Sequence, residues 1–373
     1  MTDSKPFGTI LTIDLDAIVE NYTLLRGTFT GSDCASVVKA NAYGLGVDKV
    51  VPALAAAGCT TFFVAHLNEG INLRRILPDA AIHILNGPTP GSESYFTENQ
   101  LTPVLNSLFH ITAWKNFLST QTFSETPPAD IHLDSGMLRL GLPPNEVKTL
   151  AQEPGRLEGL RIDTLISHLA CATELENPLN AQHLESFKAE LNDLRITAPT
   201  KVSFCGSSAI FLGPDYHFDL ARPGAALYGI NPLSGRPNPM RQVLRLQSKI
   251  LQVRDVDTPQ TVGYGATYRI TRSGKIATAA VGYADGFFRS LSNCGCGYIG
   301  DIRVPIVGRV SMDLITLNVT DVPDHLLHPG TLIDLIGPNY DLDAVAEDAD
   351  TIGYEVLTAL GSRYQRIYNG GNG

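Results

Sequence analysis

Eight short runs of apolar and β-branched residues alternate with longer stretches of helical period between about residues 10 and 230. This alternation is typical of βα units around a parallel sheet, because short buried runs suit strands and apolar spacings of three and four suit helices. Eight strands with eight crossovers in about 230 residues match a (β/α)8 barrel, or TIM barrel. An open doubly wound sheet is the structural alternative. The predicted strands cover residues 35–39, 61–65, 82–86, 102–106, 131–134, 164–168, 202–205 and 218–222.

The repeating pattern stops after Gly229, where residues 231–239 are rich in Pro, Gly and Ser. Such a composition is typical of a linker. Beyond it come short apolar runs bounded by Gly, Pro or Asp, at residues 244–254, 275–281, 304–307, 314–319 and 331–335. We therefore predict an α/β chain of two domains, a barrel over residues 1–238 and a mostly β domain over residues 239–373.

Charge and composition exclude several classes of protein. The 28 basic and 38 acidic side chains give a formal net charge of −10 without long runs of one sign, so no nucleic-acid partner is expected. The apolar stretches fall short of the roughly 18–20 residues that span a bilayer, and the N-terminus lacks the apolar part of a signal peptide, so no membrane association is expected. The six cysteines show neither a disulfide framework nor zinc spacing. We expect a cytoplasmic protein with a small-molecule substrate and no metal.

Lys39 ends the first predicted strand, in the segment Ser36-Val-Val-Lys39. The carboxyl end of a barrel strand lies at the mouth where TIM barrels place their active sites. Burial and neighbouring cations lower the pKa of a lysine there, which makes its amine a nucleophile able to form a Schiff base. The alternative is a lysine whose ammonium group extends from a strand end into solvent.

The loops after the seventh and eighth predicted strands contain Ser207 and the segment Arg222-Pro-Gly-Ala225. Barrels often bind phosphate with these two loops, using backbone N–H groups and small residues. Ser207, Gly224 and Ala225 fit that use, although Gly and Ser are common in any turn. A lysine, a phosphate cradle and an arginine on the first, seventh and eighth strands are neighbours in a closed barrel, which favours a functional interpretation.

Further polar and aromatic residues have two interpretations each. His168 ends a predicted strand and could be an acid, a base or an orienting group, or a core histidine. Arg139 follows a predicted strand and could bind a carboxylate, or form a surface ion pair. The tyrosines of the second domain, Tyr264, Tyr283 and Tyr354, lie beside glycines and also fit half-buried strand positions. The chain has no nucleophile elbow, Walker loop, dinucleotide fingerprint or HExxH motif.

Taken in order, the segments around these residues resemble those of alanine racemases, the fold type III enzymes that depend on pyridoxal 5′-phosphate. They are VVKANAYG, DSGMLRLG, SHLA, RPGAALYG, VGYGATY, GYADG, GRVSMD and TIGYE. The resemblance covers nearly the whole chain. It implies that the protein racemises alanine as a homodimer with shared active sites. The reaction would either supply D-alanine for peptidoglycan or degrade D-alanine.

The resemblance implies that Lys39 is bonded to pyridoxal 5′-phosphate and, once freed by substrate, acts as one of two bases. Tyr264 from the second subunit is the other, on the opposite face of the substrate. Racemisation needs both, because a proton leaves one face of Cα and another returns to the other face. His168 would hydrogen-bond Tyr264 and help to lower the pKa of its phenol. Arg222 would face the pyridine nitrogen and keep it unprotonated, which suppresses side reactions.

The same resemblance implies the binding residues. The phosphate would be held by Tyr43, Ser207, Gly224, Ala225 and Tyr354. The substrate would lie beside Arg139, Met312, Asp313 and Tyr283. Arg139 and the Met312 N–H would receive its carboxylate, and Tyr283 with Tyr354 would narrow the access to favour a small side chain.

Three positions depart from the family pattern. His132 stands where many members have a carbamylated lysine that orients the arginine, and imidazole cannot carry a carbamate. We expect neutral His132, or a bound anion such as chloride, to fill that role beside Arg139. Gly206 replaces an asparagine near the cofactor, and Thr173 replaces a frequent aspartate of the access corridor.

Other activities of the same fold are alternatives. A broad-specificity or serine/lysine racemase would differ mainly in the width of the access. A fold type III amino-acid decarboxylase shares the barrel and the β domain, but the tyrosine of VGYGATY and the arginine of RPGAALYG argue against it. A module that binds pyridoxal phosphate without enzymatic activity is a further alternative. It shares the barrel but lacks a large β domain, so the predicted second domain argues against it.

Overall fold

The structure, a computed structural model, describes residues 8–194, 196 and 200–371. These residues form two compact units. The barrel unit comprises residues 18–42 and 46–240, and the β unit comprises residues 8–17, 43–45 and 241–371. The chain therefore contributes to the β unit at its start, again at residues 43–45, and after residue 240.

Seven parallel strands form the main sheet of the barrel unit, and each pairs with the next along the chain. Their bounds are Ser36–Val37, Thr61–Val64, Ala81–Ile84, Thr102–Leu105, Pro128–His132, Arg161–Ile166 and Lys201–Ser203. A shorter strand, Leu220–Ala221, pairs in parallel with Asp33–Cys34. The near-continuous burial of these strands is typical of a parallel sheet that is covered on both faces.

Backbone hydrogen bonds close this sheet. The Arg222 N–H donates to the Cys205 carbonyl at 2.8 Å, and the Val37 N–H donates to the Pro223 carbonyl at 2.9 Å. The last strand is thereby joined both to the seventh strand and to the first. The predicted (β/α)8 barrel is confirmed, and the open sheet is not.

Helices follow the barrel strands, as their apolar period predicts. The helix Val47–Ala56 buries Val50, Val51 and Leu54, which recur on one face. Ser107 begins another helix by accepting the His110 N–H at 3.2 Å, which satisfies one of the free donors of the first turn. The α-helices up to the linker are Leu15–Thr28, Val47–Ala56, Leu67–Ile76, Glu93–Glu98, Leu108–Ser119, Pro144–Gln152 and Pro178–Leu194.

A mostly antiparallel eight-stranded sheet forms the β unit, which confirms the predicted strand-rich second domain. Its long strand, Leu244–Val256, pairs with Thr9–Asp14, Gly274–Ala279 and Leu332–Ile336. Thr9–Asp14 also pairs in parallel with the last strand, Gln365–Asn369. Because buried and half-buried residues alternate along Thr9–Asp14, that strand turns one face to the core of the β unit.

Shorter elements complete the two units. The β unit adds the strands Thr261–Val262, Tyr268–Arg269, Cys296–Ile299, Ile302–Pro305 and Ile315–Asn318 and the helices Leu342–Asp348 and Gly353–Ala359. The 3₁₀ helices are Pro154–Arg156, Ser208–Leu212, Pro214–Tyr216, Ala225–Tyr228, Tyr264–Ala266, Tyr283–Asp285, Arg289–Leu291 and Asp324–Leu326. Among the residues that the structure describes, no helix has both the length and the apolar character needed to cross a membrane.

A buried ion pair lies within the barrel unit. Nδ1 of His83 lies 2.6 Å from Oδ2 of Asp130, and both side chains are buried. The ring of Phe63 stacks on the imidazole with the ring centroids 4.5 Å apart. Burial opposes the charged imidazole, but the neighbouring Asp130 carboxylate outweighs it, so the pKa of His83 is raised. Each partner therefore depends on the other for its charge to be tolerated.

We predict that His83→Leu lowers the free energy of unfolding by about 3–5 kcal/mol, because it leaves the Asp130 carboxylate buried without its partner. The double variant His83→Leu, Asp130→Leu should lose less than the sum of the single variants, since no charge then stays buried. Urea unfolding measures both. Glu153→Gln, which breaks the exposed pair with Arg156, is the control and should cost less than about 1 kcal/mol. A cost below that level for His83→Leu would contradict the prediction.

Candidate active site

The carboxyl ends of the barrel strands bring the predicted residues of the barrel unit together. Lys39 follows Ser36–Val37, His168 follows Arg161–Ile166, and Arg222 follows Leu220–Ala221. Their charges act on one another: Arg222, Arg139, His132 and Lys39 all lower the pKa of His168. These side chains therefore share one mouth of the barrel, as the sequence predicts.

The amine of Lys39 is easier to deprotonate than that of a free lysine. Burial is the main cause of its lowered pKa, the Arg139 guanidinium lowers it further, and the Glu69 carboxylate opposes both. A larger fraction of the amine is then neutral and able to attack a carbonyl carbon or accept a proton. This behaviour agrees with the predicted nucleophile rather than with a lysine extended into solvent.

The chain beyond Lys39 makes one turn of left-handed helix, Lys39–Tyr43. Ala40, Asn41 and Ala42 have φ of 53°, 56° and 54°, and Tyr43 has φ of 53°. This region costs an L-residue other than glycine roughly 1–2 kcal/mol. The turn is why the first strand ends at Val37, two residues before the end that the sequence predicts.

Arg222 is a buried cation in a fixed orientation. Its Nη2 donates to the Ser167 carbonyl at 2.6 Å and its Nη1 donates to Oγ of Ser203. The guanidinium also lies over the ring of Phe63, 5.9 Å from the centroid. Burial lowers the pKa of Arg222 to about 10, so the side chain still keeps its charge at neutral pH.

His168 is uncharged at neutral pH. Burial and then the nearby Arg222 cation lower the pKa of His168 to about 3. Gly206 lies against it, since a Cβ at that position would come 2.9 Å from Cε1 of the imidazole. The glycine that departs from the family pattern thus leaves room for the ring, and a neutral ring can accept a hydrogen bond.

The tautomer of His132 follows from its partner. The amide nitrogen of Asn106 donates to the carbonyls of Leu85 (3.0 Å) and Val104 (2.9 Å), so both of its hydrogens are used. Oδ1 of Asn106 lies 2.8 Å from Nδ1 of His132 and must accept a proton from it. Burial, followed by Arg222, lowers the pKa of His132 to about 4. His132 is therefore neutral, with its hydrogen on Nδ1 and a lone pair on Nε2.

A cradle of N–H groups lies between the last two barrel loops. Oγ of Ser207 accepts the N–H groups of Gly224 (2.9 Å) and Ala226 (3.2 Å). Ala225 begins the 3₁₀ helix Ala225–Tyr228, so the N–H groups of this turn converge at its amino end. Converging N–H groups beside a hydroxyl fit the oxygens of a phosphate. The sequence-predicted phosphate residues of the barrel unit therefore lie together.

Arg139 lies on a loop that the Asp134 carboxylate organises. Oδ1 of Asp134 accepts the N–H groups of Gly136 (3.2 Å) and Leu138 (3.1 Å). Leu138 takes a left-handed conformation, with φ of 56°, and is 84% exposed. Arg139 is exposed as well. A fixed loop that carries an exposed guanidinium suits the capture of a carboxylate.

In the β unit, Tyr43 and Tyr354 lie side by side. Their ring centroids are 6.2 Å apart. Burial, and for Tyr43 also its neighbour Tyr354, raises the pKa of both phenols. Both therefore stay protonated at neutral pH and can donate a hydrogen bond.

Tyr283, Met312 and Asp313 belong to a second cluster of the β unit. The Tyr283 N–H donates to the Ser311 carbonyl at 3.0 Å. A Cβ at Gly282 would come 2.3 Å from the Ser311 and Met312 carbonyl oxygens, so only glycine permits this close approach. Arg363 pairs with Asp313 at 2.8 Å and with Asp285 at 3.0 Å. The Asp313 carboxylate is thus already engaged, and it fixes the segment that carries Met312.

Tyr264 lies at the start of the 3₁₀ helix Tyr264–Ala266 and is 74% exposed. Gly263 and Gly265 on either side have positive φ, so Tyr264 lies on a tight turn. The reading of Tyr264 as a half-buried strand residue is therefore wrong. An exposed aromatic ring on a rigid turn is available to a partner.

The sequence does not single out several residues that touch the site. Asn106 is hydrogen-bonded to His132, and Glu69 accepts the backbone N–H of Ala40. Ser203 accepts a hydrogen bond from Arg222. Asn106 is the last residue of a predicted strand, the same position that Lys39 and His168 occupy in theirs. Glu69 is the third residue of its helix, where a carboxylate is typical of helix capping. Neither signal distinguishes a site residue from ordinary turn chemistry.

Comparisons with known proteins identify relatives along nearly the whole chain. The profile of the alanine racemase N-terminal domain matches residues 13–232, and that of the alanine racemase C-terminal domain matches residues 243–368. An alanine racemase of Rhodospirillum rubrum is 50% identical over 97% of this chain and 96% of its own. One from Brucella abortus is 46% identical over 98% and 95%. The crystal structure of alanine racemase from Bartonella henselae with covalently bound pyridoxal phosphate matches with a TM-score of 0.93, 41% identity, and coverage of 98% and 100%.

Glu190, on the helix Pro178–Leu194, is a buried carboxyl group coupled to the loop of Arg139. Its Oε2 has no hydrogen-bond partner among the described residues. Burial, followed by the Asp134 and Asp193 carboxylates, raises the pKa of Glu190 to about 7. The folded state therefore binds a proton that the unfolded state releases between the ordinary pKa of about 4.5 and pH 7. The stability that this proton provides is complete below that window and is lost as the pH rises through it.

We predict that Glu190→Gln, which mimics the protonated group, raises the free energy of unfolding at pH 8 by roughly 1–3 kcal/mol relative to the wild type. The gain should fall to about 0.4 kcal/mol or less at pH 4.5, where Glu190 is protonated in the folded state and about half protonated in the unfolded state. Thermal unfolding between pH 4.5 and 8 measures the difference. Glu185→Gln on the same helix, where the carboxylate is exposed and paired with Lys188, should give no such pH dependence. A gain that is independent of pH would show that Glu190 does not titrate in this window.

Proposed function

The chain belongs to the alanine racemase family, and we propose that Lys39 and Tyr264 are the two bases with which it interconverts L-alanine and D-alanine. The enzyme is an isomerase that depends on pyridoxal phosphate, since family domains match most of the chain and a related structure carries that cofactor. The named relatives do not favour a broad-specificity racemase or a decarboxylase. The observation that carries the residue assignment is the desolvated amine of Lys39 at the same strand edge as the fixed cation of Arg222.

The residues of the barrel unit fit the cofactor. Lys39 offers an amine that burial helps to neutralise. The Ser207 hydroxyl accepts the Gly224 N–H and keeps its own hydrogen to donate, so with the Ala225 N–H at the start of the 3₁₀ helix it offers a cradle for a phosphate. Pyridoxal phosphate held by these residues would supply an electron-withdrawing group that makes the proton on Cα of alanine removable. Arg222 keeps its charge at neutral pH, so beside the pyridine nitrogen it would donate a hydrogen bond and oppose a proton there.

Proton transfer then needs one group on each face of Cα. We assign Nζ of Lys39 to one face and the phenol oxygen of Tyr264 of the partner subunit to the other. His168 is neutral and keeps one ring N–H, which can donate a hydrogen bond to the phenol oxygen and stabilise that oxygen once its proton has left. In one direction Lys39 removes the proton and the phenol returns one; in the other direction the roles reverse.

Binding of alanine is assigned to the exposed polar groups. The planar guanidinium of Arg139 would pair with both carboxylate oxygens, and the Met312 N–H would donate a further hydrogen bond. Asp313 would act through its ion pair with Arg363, which fixes the Met312 segment. The phenols of Tyr43 and Tyr354 would donate to the phosphate. Tyr283 and Tyr354 would limit the side chain to a small one.

Exposed apolar side chains in each unit of the chain support a homodimer. Leu138 is 84% exposed in the barrel unit, and Tyr264, Ile352 and Met312 are 74%, 61% and 54% exposed in the β unit. Large exposed apolar side chains are typical of surfaces that a partner covers. A second copy that covers them would bring its own Tyr264 to the site, as the two-base assignment requires.

A cytoplasmic location is supported by the cysteines. All six are free thiols, and Cys34, Cys59, Cys205 and Cys296 are buried. Free thiols are typical of a reducing compartment.

His132 would support Arg139 as an uncharged acceptor, without a bound anion. Asn106 directs the proton of the imidazole to Nδ1, so Nε2 carries a lone pair. A lone pair repels chloride but accepts a hydrogen bond from a guanidinium. The charge of Arg139 also lowers the pKa of His132, which supports their proximity.

We predict that mixed dimers of Lys39→Ala and Tyr264→Ala subunits regain activity, although each variant alone is nearly inactive. One of the two sites in a mixed dimer has both bases, so random mixing should restore about a quarter of the wild-type rate. Racemisation of L-alanine by subunits that carry different affinity tags measures this recovery. Mixing two differently tagged Lys39→Ala preparations is the control. Mixed dimers of verified composition without activity would contradict shared sites.

We also predict that replacing chloride by a large organic anion at constant ionic strength changes kcat/KM less than about twofold, because we assign the Nε2 lone pair of His132, which repels an anion, to Arg139. His132→Ala should raise KM for alanine about fivefold, the effect of one lost neutral hydrogen bond. Asn106→Leu should act in the same direction, since it frees the tautomer of His132. A strong dependence on chloride in the wild type would favour a bound anion instead.

A further inference from the structure

We propose that Glu69 is a positioning residue for Lys39, because its carboxylate fastens the left-handed turn that begins at Lys39 to the end of the neighbouring barrel strand. The inference rests on the proposed role of Lys39 as the cofactor lysine and base. Glu69 lies in the first turn of the helix Leu67–Ile76, which follows the strand Thr61–Val64.

The Glu69 carboxylate accepts three backbone N–H groups. Oε1 accepts the Ala40 N–H at 2.6 Å, and Oε2 accepts the N–H groups of Ala65 and His66 at 2.9 Å each. The two oxygens thus join the residue after Lys39 to the end of the second strand. Hydrogen bonds to an ionised carboxylate are shorter and stronger than those between neutral groups.

The left-handed turn needs such a contact. Ala40, Asn41 and Ala42 all have positive φ and none of them is glycine, so the turn is intrinsically unfavourable. Asn41 supplies local support: its Oδ1 accepts the Val47 N–H at 2.8 Å and its carbonyl accepts the Gly46 N–H at 3.0 Å. These bonds stay within the loop, whereas Glu69 connects the loop to the next βα unit.

The contact determines where the amine of Lys39 lies. A turn released from Glu69 can relax to right-handed φ, which redirects the chain on which Lys39 stands. The Glu69 charge also acts on the amine, because it opposes the lowering of the Lys39 pKa by burial and by Arg139. One carboxylate therefore sets both the position and the electrostatic surroundings of the lysine.

Glu69→Gln in the full-length holoenzyme tests the proposal. Glutamine keeps one acceptor oxygen and replaces the other by an NH₂ group, which cannot accept an N–H. Hydrogen–deuterium exchange of the Ala40 amide, or of those of Ala65 and His66, should become about 10- to 100-fold faster, as expected for a lost charge-assisted hydrogen bond. Glu146→Gln is the matched control: Glu146 accepts the Leu108 N–H at 2.8 Å from a helix start elsewhere in the barrel. It should affect exchange only near Leu108.

The kinetic test separates positioning from general stability. Glu69→Gln should lower kcat about tenfold and change KM for alanine little, because Arg139 is untouched. Glu146→Gln should leave both constants unchanged. Faster exchange with an unchanged kcat, or an unchanged exchange rate, would overturn the proposal.

The wild-type enzyme provides a test that does not depend on the variant folding. The Ala40 amide must be protected from exchange in the holoenzyme, and exchange as fast as in an open loop would also overturn the proposal. Borohydride reduction followed by peptide mapping locates the cofactor-bound lysine. If that lysine is not Lys39 the proposed function fails, whereas an altered exchange pattern reports on Glu69 alone.

Discussion

A buried and immobile positive charge on Arg222 governs the chemistry of the strand-end site. The guanidinium donates hydrogen bonds to the Ser167 carbonyl and to the Ser203 hydroxyl, and its pKa of about 10 keeps it charged at neutral pH. Together with burial, this charge lowers the pKa of His132 and His168 and keeps both imidazoles neutral. A histidine with an ordinary pKa is partly protonated at slightly acidic pH, but these two act only as hydrogen-bond partners. The site is therefore positive through its arginines, and these two histidines do not titrate near neutral pH. Such a site suits ligands that carry a phosphate and a carboxylate.

The fold was predictable from the sequence where local patterns decide it. The eight strands and the strand-rich second domain follow from residue periodicity, and the structure confirms both. The contribution of Thr9–Asp14 to the β unit was not predictable, because pairing with Leu244–Val256 and Gln365–Asn369 depends on contacts across most of the chain. The strand end at Val37 was also missed, since no local propensity favours a left-handed turn of Ala, Asn and Ala.

The site was predictable to the extent that strand ends mark it. Lys39, His168 and Arg222 share the position after a barrel strand, and the structure brings them to one mouth. The hydrogen-bond partners of the site residues were not predictable. Asn106, Ser203 and Glu69 are brought to the site by the fold, and no spacing along the chain marks them. The charge state of His132 in particular depends on an amide whose two hydrogens are used elsewhere.

The left-handed turn places a strained backbone conformation directly beside Lys39. Glycine at positions 40–42 would adopt positive φ without cost, but it would also make alternative conformations accessible. Alanine and asparagine confine the backbone, so the conformation persists only while contacts such as those of Glu69 and Asn41 compensate for the strain. A racemase must return a proton to a carbon from a fixed side. A lysine on a flexible loop could reach the carbon from more than one direction. In the proposed two-base assignment, strain with external support would give Lys39 one direction of approach and leave the opposite face of the substrate to the other base.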